Sequence, residues 1–168
     1  TMFSTKTDGK WISTSTQEFI DKANLISSGL IALGIKEGDK VGIVSANRLE
    51  WNVMDIGIQQ IGAIGVPIYP NISIKDYKFI LGNAEIKICT AGDHDLFEKI
   101  NGLKEDLPML EKVYSFDKIE GVPHWTEIMD AAKGVDIAEV EKRKENIKYE
   151  DIATMIYTSG TTGNPKGV

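Results

Sequence analysis

Four hydroxyl residues (Thr158, Ser159, Thr161 and Thr162), three glycines (Gly160, Gly163 and Gly167) and one lysine, Lys166, fall within ten residues of this sequence. Ordinary turns do not need that density, and each residue type has a chemical use. Glycine reaches positive φ without steric cost and lets the backbone approach a ligand closely, so successive N–H groups can converge on one anion. The hydroxyls add further donors. Lys166 adds a point charge able to pair with a polyphosphate, and Pro165 fixes the backbone immediately before it. The competing reading is a surface loop that binds nothing, because Gly, Ser and Thr are also common loop formers.

Two familiar phosphate-binding patterns fail on this segment. The P-loop order G-x-x-x-x-G-K-[S/T] counted from Gly160 meets Pro165 where the second glycine should stand and Gly167 where the hydroxyl should stand. The dinucleotide fingerprint G-x-G-x-x-G fails at once, since the residue two after Gly160 is Thr162. Other chemistry is weakly supported. His94 and His124 are far apart, with no Cys or acid pattern of metal-ligand spacing, and read as surface or satisfied structural histidines. The hydroxyls elsewhere have no His and Asp companions that would suggest nucleophilic catalysis. The lone Cys89, between Ile88 and Thr90, reads as part of a core strand, and Trp51 as helix packing.

The elements that must position the loop follow from periodicity. Ser15-Thr16-Gln17-Glu18 has capping-box spacing, and Phe19, Ala23, Ile26, Leu30 and Leu33 recur at helical intervals as far as Gly34. Val41-Gly42-Ile43-Val44 is a short apolar run of the kind buried on both faces of a parallel sheet. A helix is expected over Leu49 to Ile64, then an extended segment from Gly65 to Pro70, where two prolines oppose helix. The alternation continues with a helix over Ser73 to Asn83, a strand over Ile86 to Thr90, a helix over Asp93 to Leu103 and a strand over Lys112 to Phe116. A short helix is expected around Trp125 to Ala132, and a solvated helix of mixed charge over Asp136 to Lys148. Finally, Ile152 to Tyr157 reads as a strand feeding the Gly-rich loop, the placement that ligand sites favour at the carboxyl ends of open α/β sheets. The fold class is therefore α/β, with alternating βα units forming a mostly parallel sheet flanked by helices.

Bulk properties fit that class. The chain has 168 residues, 42% of them hydrophobic, enough for one domain with a sizeable core. Its formal net charge is −6 with the basic residues scattered, so the footprint of a nucleic-acid binder is missing. One cysteine excludes an internal disulfide and fits a reducing, cytoplasmic compartment; no apolar run has spanning length, and no secretory signal opens the sequence. The start at Thr1 and the stop at Val168 are both abrupt, as expected for a piece of a longer protein.

Tyr157 to Val168, read as Tyr-Thr-Ser-Gly-Thr-Thr-Gly-Asn-Pro-Lys-Gly-Val, resembles residue for residue the phosphate-loop signature of the adenylate-forming superfamily of acyl-CoA synthetases, luciferases and peptide-synthetase adenylation domains. Upstream, Asp8-Gly9-Lys10-Trp11, Asp39-Lys40-Val41-Gly42-Ile43, Glu50-Trp51, Gly62-Ala63 and Val66-Pro67-Ile68-Tyr69-Pro70 resemble the N-terminal part of its long-chain fatty acyl-CoA synthetase branch. Nearly the whole chain is covered. The resemblance implies a fragment of the large N-terminal AMP-binding domain, residues 1–168, ending at the phosphate loop, with the C-terminal domain elsewhere. It implies activation of a fatty acid by ATP, with magnesium, to an acyl-adenylate, followed by transfer to coenzyme A. Thr158, Ser159, Thr161, Thr162 and Lys166 would then hold the β- and γ-phosphates, Gly160 and Gly163 would permit their approach, and Tyr157 would be structural. The adenine pocket, acyl groove, magnesium-binding acid and catalytic lysine would all lie beyond Val168, leaving this chain alone inactive. Peripheral association of the full-length protein with the inner membrane face stays open, as do two other readings: a different carboxylate-activating ligase, and a stand-alone phosphate-binding module.

Overall fold

The computed structural model describes residues 1–7, 9–158 and 163–168. An N-terminal antiparallel pair, β1 (Phe3–Thr7) and β2 (Lys10–Thr14), precedes the long helix α1 (Thr16–Ala32). The capping box sets the start of α1: Glu18 N donates to Ser15 Oγ at 3.2 Å, and Ser15 N donates to Glu18 Oε2 at 2.7 Å. Gly34 ends it by taking φ +88, while Gly34 N donates to Ile31 O and Ile35 N to Leu30 O, the paired bonds of a Schellman stop.

Four strands then form a parallel sheet: β3 (Lys40–Val44), β4 (Ile64–Ile68), β5 (Ile86–Ala91) and β6 (Lys112–Ser115), in the spatial order β4-β3-β5-β6. They alternate with α2 (Leu49–Gln59), α3 (Ile74–Asn83) and α4 (His94–Asn101), and are followed by α5 (Thr126–Ala131) and α6 (Ile137–Asn146). Side-chain parity divides the core in two. Val41, Ile43, Ile88 and Tyr114 face α1, α2 and α5, whereas Val44, Val66, Cys89, Ala91 and Val113 face α3 and α4. Both faces of the sheet are therefore covered, which is why its strands read as continuous apolar runs.

Two glycines let the first layer close. A Cβ on Gly57 would fall 2.5 Å from Ile26 Cγ2, and one on Gly29 would overlap the carbonyl oxygen of Ile128. α1 thus meets α2 and α5 at backbone distance.

At the carboxyl end of the sheet, Arg48 ties three strand ends together. Its Nη1 donates to Gly92 O at 2.8 Å and Asp117 Oδ1 at 3.0 Å, its Nε donates to Glu50 Oε2 at 2.9 Å, and its guanidinium lies 5.4 Å from the Phe116 ring centre. Burial pushes the Glu50 carboxyl up, but the hydrogen bond and charge of Arg48 outweigh it and hold the group below the ordinary range. Residues beyond β3, β5 and β6 are thus occupied with one another, and the carboxyl end of β4 is left for the loop.

Several expected boundaries move. The helix expected to reach Ile64 stops at Gln59, because Gly62 takes φ +69 and Ile64 is already paired with Lys40 in the sheet. The expected helix over Asp93 to Leu103 is shortened at both ends: Asp93 is its N-cap, accepting from Leu96 N, and a separate 3-10 turn covers Lys104–Asp106. The strand expected to reach Phe116 ends at Ser115. The charged helix α6 is mostly solvated, as expected, yet Val140 is buried and Arg143 Nη1 donates to Ile35 O at 3.0 Å. The pair β1 and β2 was not expected at all.

Gly29→Ala should lower the thermal unfolding midpoint. Overpacking against the Ile128 carbonyl costs roughly 1–3 kcal/mol, more than the about 1 kcal/mol that alanine contributes to a helix interior. An unchanged or raised midpoint would mean that α5 is not held against α1 as described.

Candidate functional site

The strand expected over Ile152 to Tyr157 does not form as one element. Ile152 is 61% exposed, and the segment instead makes two separate attachments. The first is to the outer edge of β4, where a single residue takes it: Gly65 N donates to Ala153 O at 3.1 Å, Met155 N donates to Gly65 O at 2.9 Å, and Thr154 Oγ1 donates to the same oxygen at 3.0 Å. A Cβ on Gly65 would stand 3.2 Å from Asp55 Oδ1, so the half-buried Asp55 of α2 crowds this residue. Desolvation pushes the Asp55 carboxyl up, partly offset by the hydrogen bond from Gln59 Nε2.

The second attachment is a short antiparallel pair, β7 (Tyr157–Thr158) with β8 (Lys166–Gly167), flanked by reciprocal bonds at 2.9 Å between Ile156 and Val168. The Gly-rich segment is therefore carried by a two-stranded stem beside the sheet rather than by a sheet strand. Alternation then sorts the side chains. Tyr157 is 6% exposed in the core with α3 and α4, and its hydroxyl donates to Asn83 Oδ1 at 2.6 Å. Thr158 and Lys166, paired across the stem, are exposed. Gly167 lets the stem close on the tyrosine, since a Cβ there would be 3.2 Å from Tyr157 Cζ and from Met155 Sδ.

A cleft of about 640 Å³ opens between this stem and the carboxyl end of β4. One wall is Pro67, Ile68 and Tyr69 with Asn71, Ile72, Asp76 and Ile80 of the α3 region; the other is Ile156, Tyr157, Thr158, Gly163 and Pro165. The α3 wall is well fixed. Ser73 caps the helix by accepting from Asp76 N, and the Tyr77 hydroxyl, pushed up to about 12 chiefly by burial, donates to Tyr69 O at 3.1 Å. The cleft is thus an apolar trough with a polar lip. The half-buried Asp76 places negative charge on the α3 side of the cleft, whereas the exposed Lys166 places positive charge on the stem.

Of the residues singled out by sequence, Thr158 and Gly163 line this cleft and Lys166 is opposite Thr158 on the stem. Gly163 has φ +115, in the left-handed region that glycine alone adopts freely, with nothing within 4 Å of where a Cβ would stand. Ser159, Gly160, Thr161 and Thr162 lie outside the described residues. Other grooves lack this chemistry. One of about 320 Å³ between the residues after α1 and α6 is lined by charged side chains such as Arg143 and Glu139, already paired at 3.2 Å. Cys89 is fully buried, and desolvation pushes its thiol up to about 12, so it is no nucleophile. His124 is satisfied by Thr126 Oγ1 and Phe116 O, and His94 is exposed near Glu98. Among the described residues no group of three His, Cys, Asp or Glu could hold a metal ion.

Residues 2–168 match the family model described as AMP-binding enzyme. The chain belongs to the AMP-binding enzyme family. It is 34% identical over 160 residues to the long-chain-fatty-acid–CoA ligase FadD15 of Mycobacterium bovis, a match covering 95% of this chain and 26% of that protein. It is 28% identical over 168 residues to the long-chain-fatty-acid–CoA ligase ACSBG2 of Xenopus laevis, covering 97% of this chain and 23% of the relative. The chain thus spans about a quarter of the length of these curated relatives. Its fold is shared with the crystal structure of the anthranilate CoA ligase AuaEII in complex with anthranoyl-AMP, at a TM-score of 0.77 and 24% identity, covering 96% of this chain and 30% of that one. Among the described residues of this family member, no helix is long and apolar enough to cross a membrane.

Sequence reasoning missed three residues that build the site: Gly65, Asn83 and Asp76. Gly65 carried a signal, a glycine in a strand interior, which commonly marks close approach of another backbone. Asn83 carried none, because its partner Tyr157 is set by the tertiary fold; the bonds of Asp76 to Ser73 are local, but its place on the cleft wall is not.

Gly65→Val should free the segment after α6 from β4. Native-state hydrogen exchange at the Met155 amide is then expected to accelerate, while amides of α1 keep their protection. Unchanged protection at Met155 would show that Gly65 does not hold it.

Proposed function

We propose that this chain is the N-terminal part of the adenylate-forming domain of a long-chain-fatty-acid–CoA ligase, and that residues 158–166 grip the phosphates of ATP. The observation that carries this reading is the twelve-residue segment Tyr157 to Val168, whose Thr158 and Gly163 line a cleft at the carboxyl end of a parallel sheet. The curated relatives named as long-chain-fatty-acid–CoA ligases support the branch.

The residues present suit a polyphosphate. Thr158 and Lys166 are exposed, and Gly163 leaves space where a side chain would stand. The ATP would supply an α-phosphate for attack by a fatty carboxylate, with pyrophosphate leaving, before the thiol of coenzyme A takes the acyl group and AMP leaves. This chain's part is positional and electrostatic. Lys166 places positive charge beside the leaving phosphates, Thr158, Ser159, Thr161 and Thr162 supply donors, and Gly160 and Gly163 allow backbone N–H groups to approach. Magnesium would enter with the phosphates of ATP, whose oxygens suit it. Groups for the adenine, the acyl chain, coenzyme A and the catalytic lysine belong to the remaining length of the protein in this reading. The 168 residues by themselves therefore form no acyl-adenylate. A cytoplasmic enzyme, associated with the inner membrane face or free of it, completes the proposal.

In the full-length protein, Lys166→Ala should lower kcat/KM for ATP at least about tenfold, since a hydrogen bond to a charged group contributes roughly 1.5–3 kcal/mol. Pyrophosphate release with a series of fatty acids measures it. Undiminished release would remove Lys166 from phosphate binding.

A further inference from the structure

The Tyr157–Asn83 hydrogen bond joins the two walls of the cleft. Tyr157 belongs to the stem that carries Thr158 and Lys166, and Asn83 is the last residue of α3, the helix whose Asp76 and Ile80 form the opposite wall. A phenylalanine at 157 would fill the same core space. The hydroxyl instead incurs a desolvation cost, visible in its raised pKa, and needs a partner. It finds one at 2.6 Å, across 74 positions of sequence.

The partner is itself held firmly. Immediately after Asn83 and the cap residue Ala84, Glu85 adopts φ +53, a left-handed conformation that non-glycine residues rarely take. Glu85 N donates to Gly82 O at 3.1 Å, and the chain enters β5 at once with the fully buried Ile86. The end of α3 therefore cannot drift along its axis without breaking the sheet. On the other side of the bond, the ring of Tyr157 is clamped by Gly167 on the opposite strand of the stem.

We propose that Tyr157 and Asn83 are positioning residues for the phosphate loop: their hydrogen bond fixes the height of the stem against α3, and so where Thr158 and Lys166 stand relative to the cleft. This rests on the phosphate-binding reading above. Asn83 is not part of the cleft lining, and the Tyr157 hydroxyl is spent on Asn83. Their influence acts through the placement of Lys166, and small displacements of a charge-stabilising group weaken its effect steeply.

The test is pyrophosphate release by the full-length protein, with ATP and fatty acid varied separately, in the variants Tyr157→Phe, Asn83→Ala, the two combined, Asn83→Asp and Lys166→Ala. Tyr157→Phe and Asn83→Ala should each lower kcat/KM for ATP about tenfold, with KM for the fatty acid at saturating ATP unchanged. The combined variant should lose no more than either alone, because both remove one bond. Asn83→Asp keeps an acceptor and should retain most of the activity. If Lys166→Ala loses ATP dependence while Tyr157→Phe and Asn83→Ala do not, the positioning role is overturned and the phosphate-binding reading stands. If Lys166→Ala changes nothing, that reading fails and the inference with it. Losses that affect both substrates alike, or that add in the combined variant, would also overturn it by marking a merely structural contact. Should Tyr157→Phe fold poorly, the contrast between Asn83→Ala and Asn83→Asp decides the matter.

Discussion

Both backbone groups of Gly65 are taken by a segment about ninety positions later, and the site depends on that attachment. β4 is an edge strand, and its unpaired N–H and C=O are a template for another segment. Ala153 to Met155 occupies it at one residue, Gly65, where a Cβ would stand 3.2 Å from Asp55 Oδ1 and 3.9 Å from Ala153 O. From that point a single residue, Ile156, precedes Tyr157, which enters the core. The stem of the loop is consequently delivered to the carboxyl end of β4, the one strand end that the Arg48 cluster leaves open.

The rest of the fold can be understood as support for this edge. The covering of both sheet faces makes the β4 register unambiguous, since a one-residue slip would send Val66 from one core into the other. α3 has a double duty: it seals the second core through Tyr77, Ile80 and Leu81, and it forms the far wall of the cleft. Its N-terminus is fixed by the Ser73 cap and its C-terminus by the tight turn into β5. A wall built in this way holds its shape through packing, leaving the loop side to carry the charge.

Much of this was legible in the sequence wherever local signals and tertiary demands coincide. The capping box at Ser15, the glycine stop at Gly34 and the apolar runs of β3, β5 and β6 are local statements that the fold keeps. Two readings went astray and one element was missed, because tertiary contacts decide all three. Ile61, Ala63 and Ile64 continue the helical periodicity of α2, but sheet pairing with Lys40 claims Ile64. Ile152 to Tyr157 has strand composition, but only part of one sheet edge is available to it. The β1 and β2 sequences are largely polar, and their pairing is stabilised by Phe3 stacking on Phe19 at 5.1 Å, which periodicity does not reveal. At the site the order of residue types points to the family that the chain belongs to, and phosphate binding by the loop is the proposal built on that order. The walls were not legible, since Asn83 finds Tyr157, and Asp76 its place on the cleft, only through the tertiary fold.

Selective response of the loop to phosphate tests the account most directly. The 168-residue chain, labelled with nitrogen-15, can be titrated separately with ATP, tripolyphosphate and adenosine while amide resonances are followed. The account predicts that ATP and tripolyphosphate shift the amides of residues 158–167 and that adenosine leaves them in place. Loop shifts driven by adenosine, or a loop that ignores both phosphate ligands while amides elsewhere respond, would contradict it.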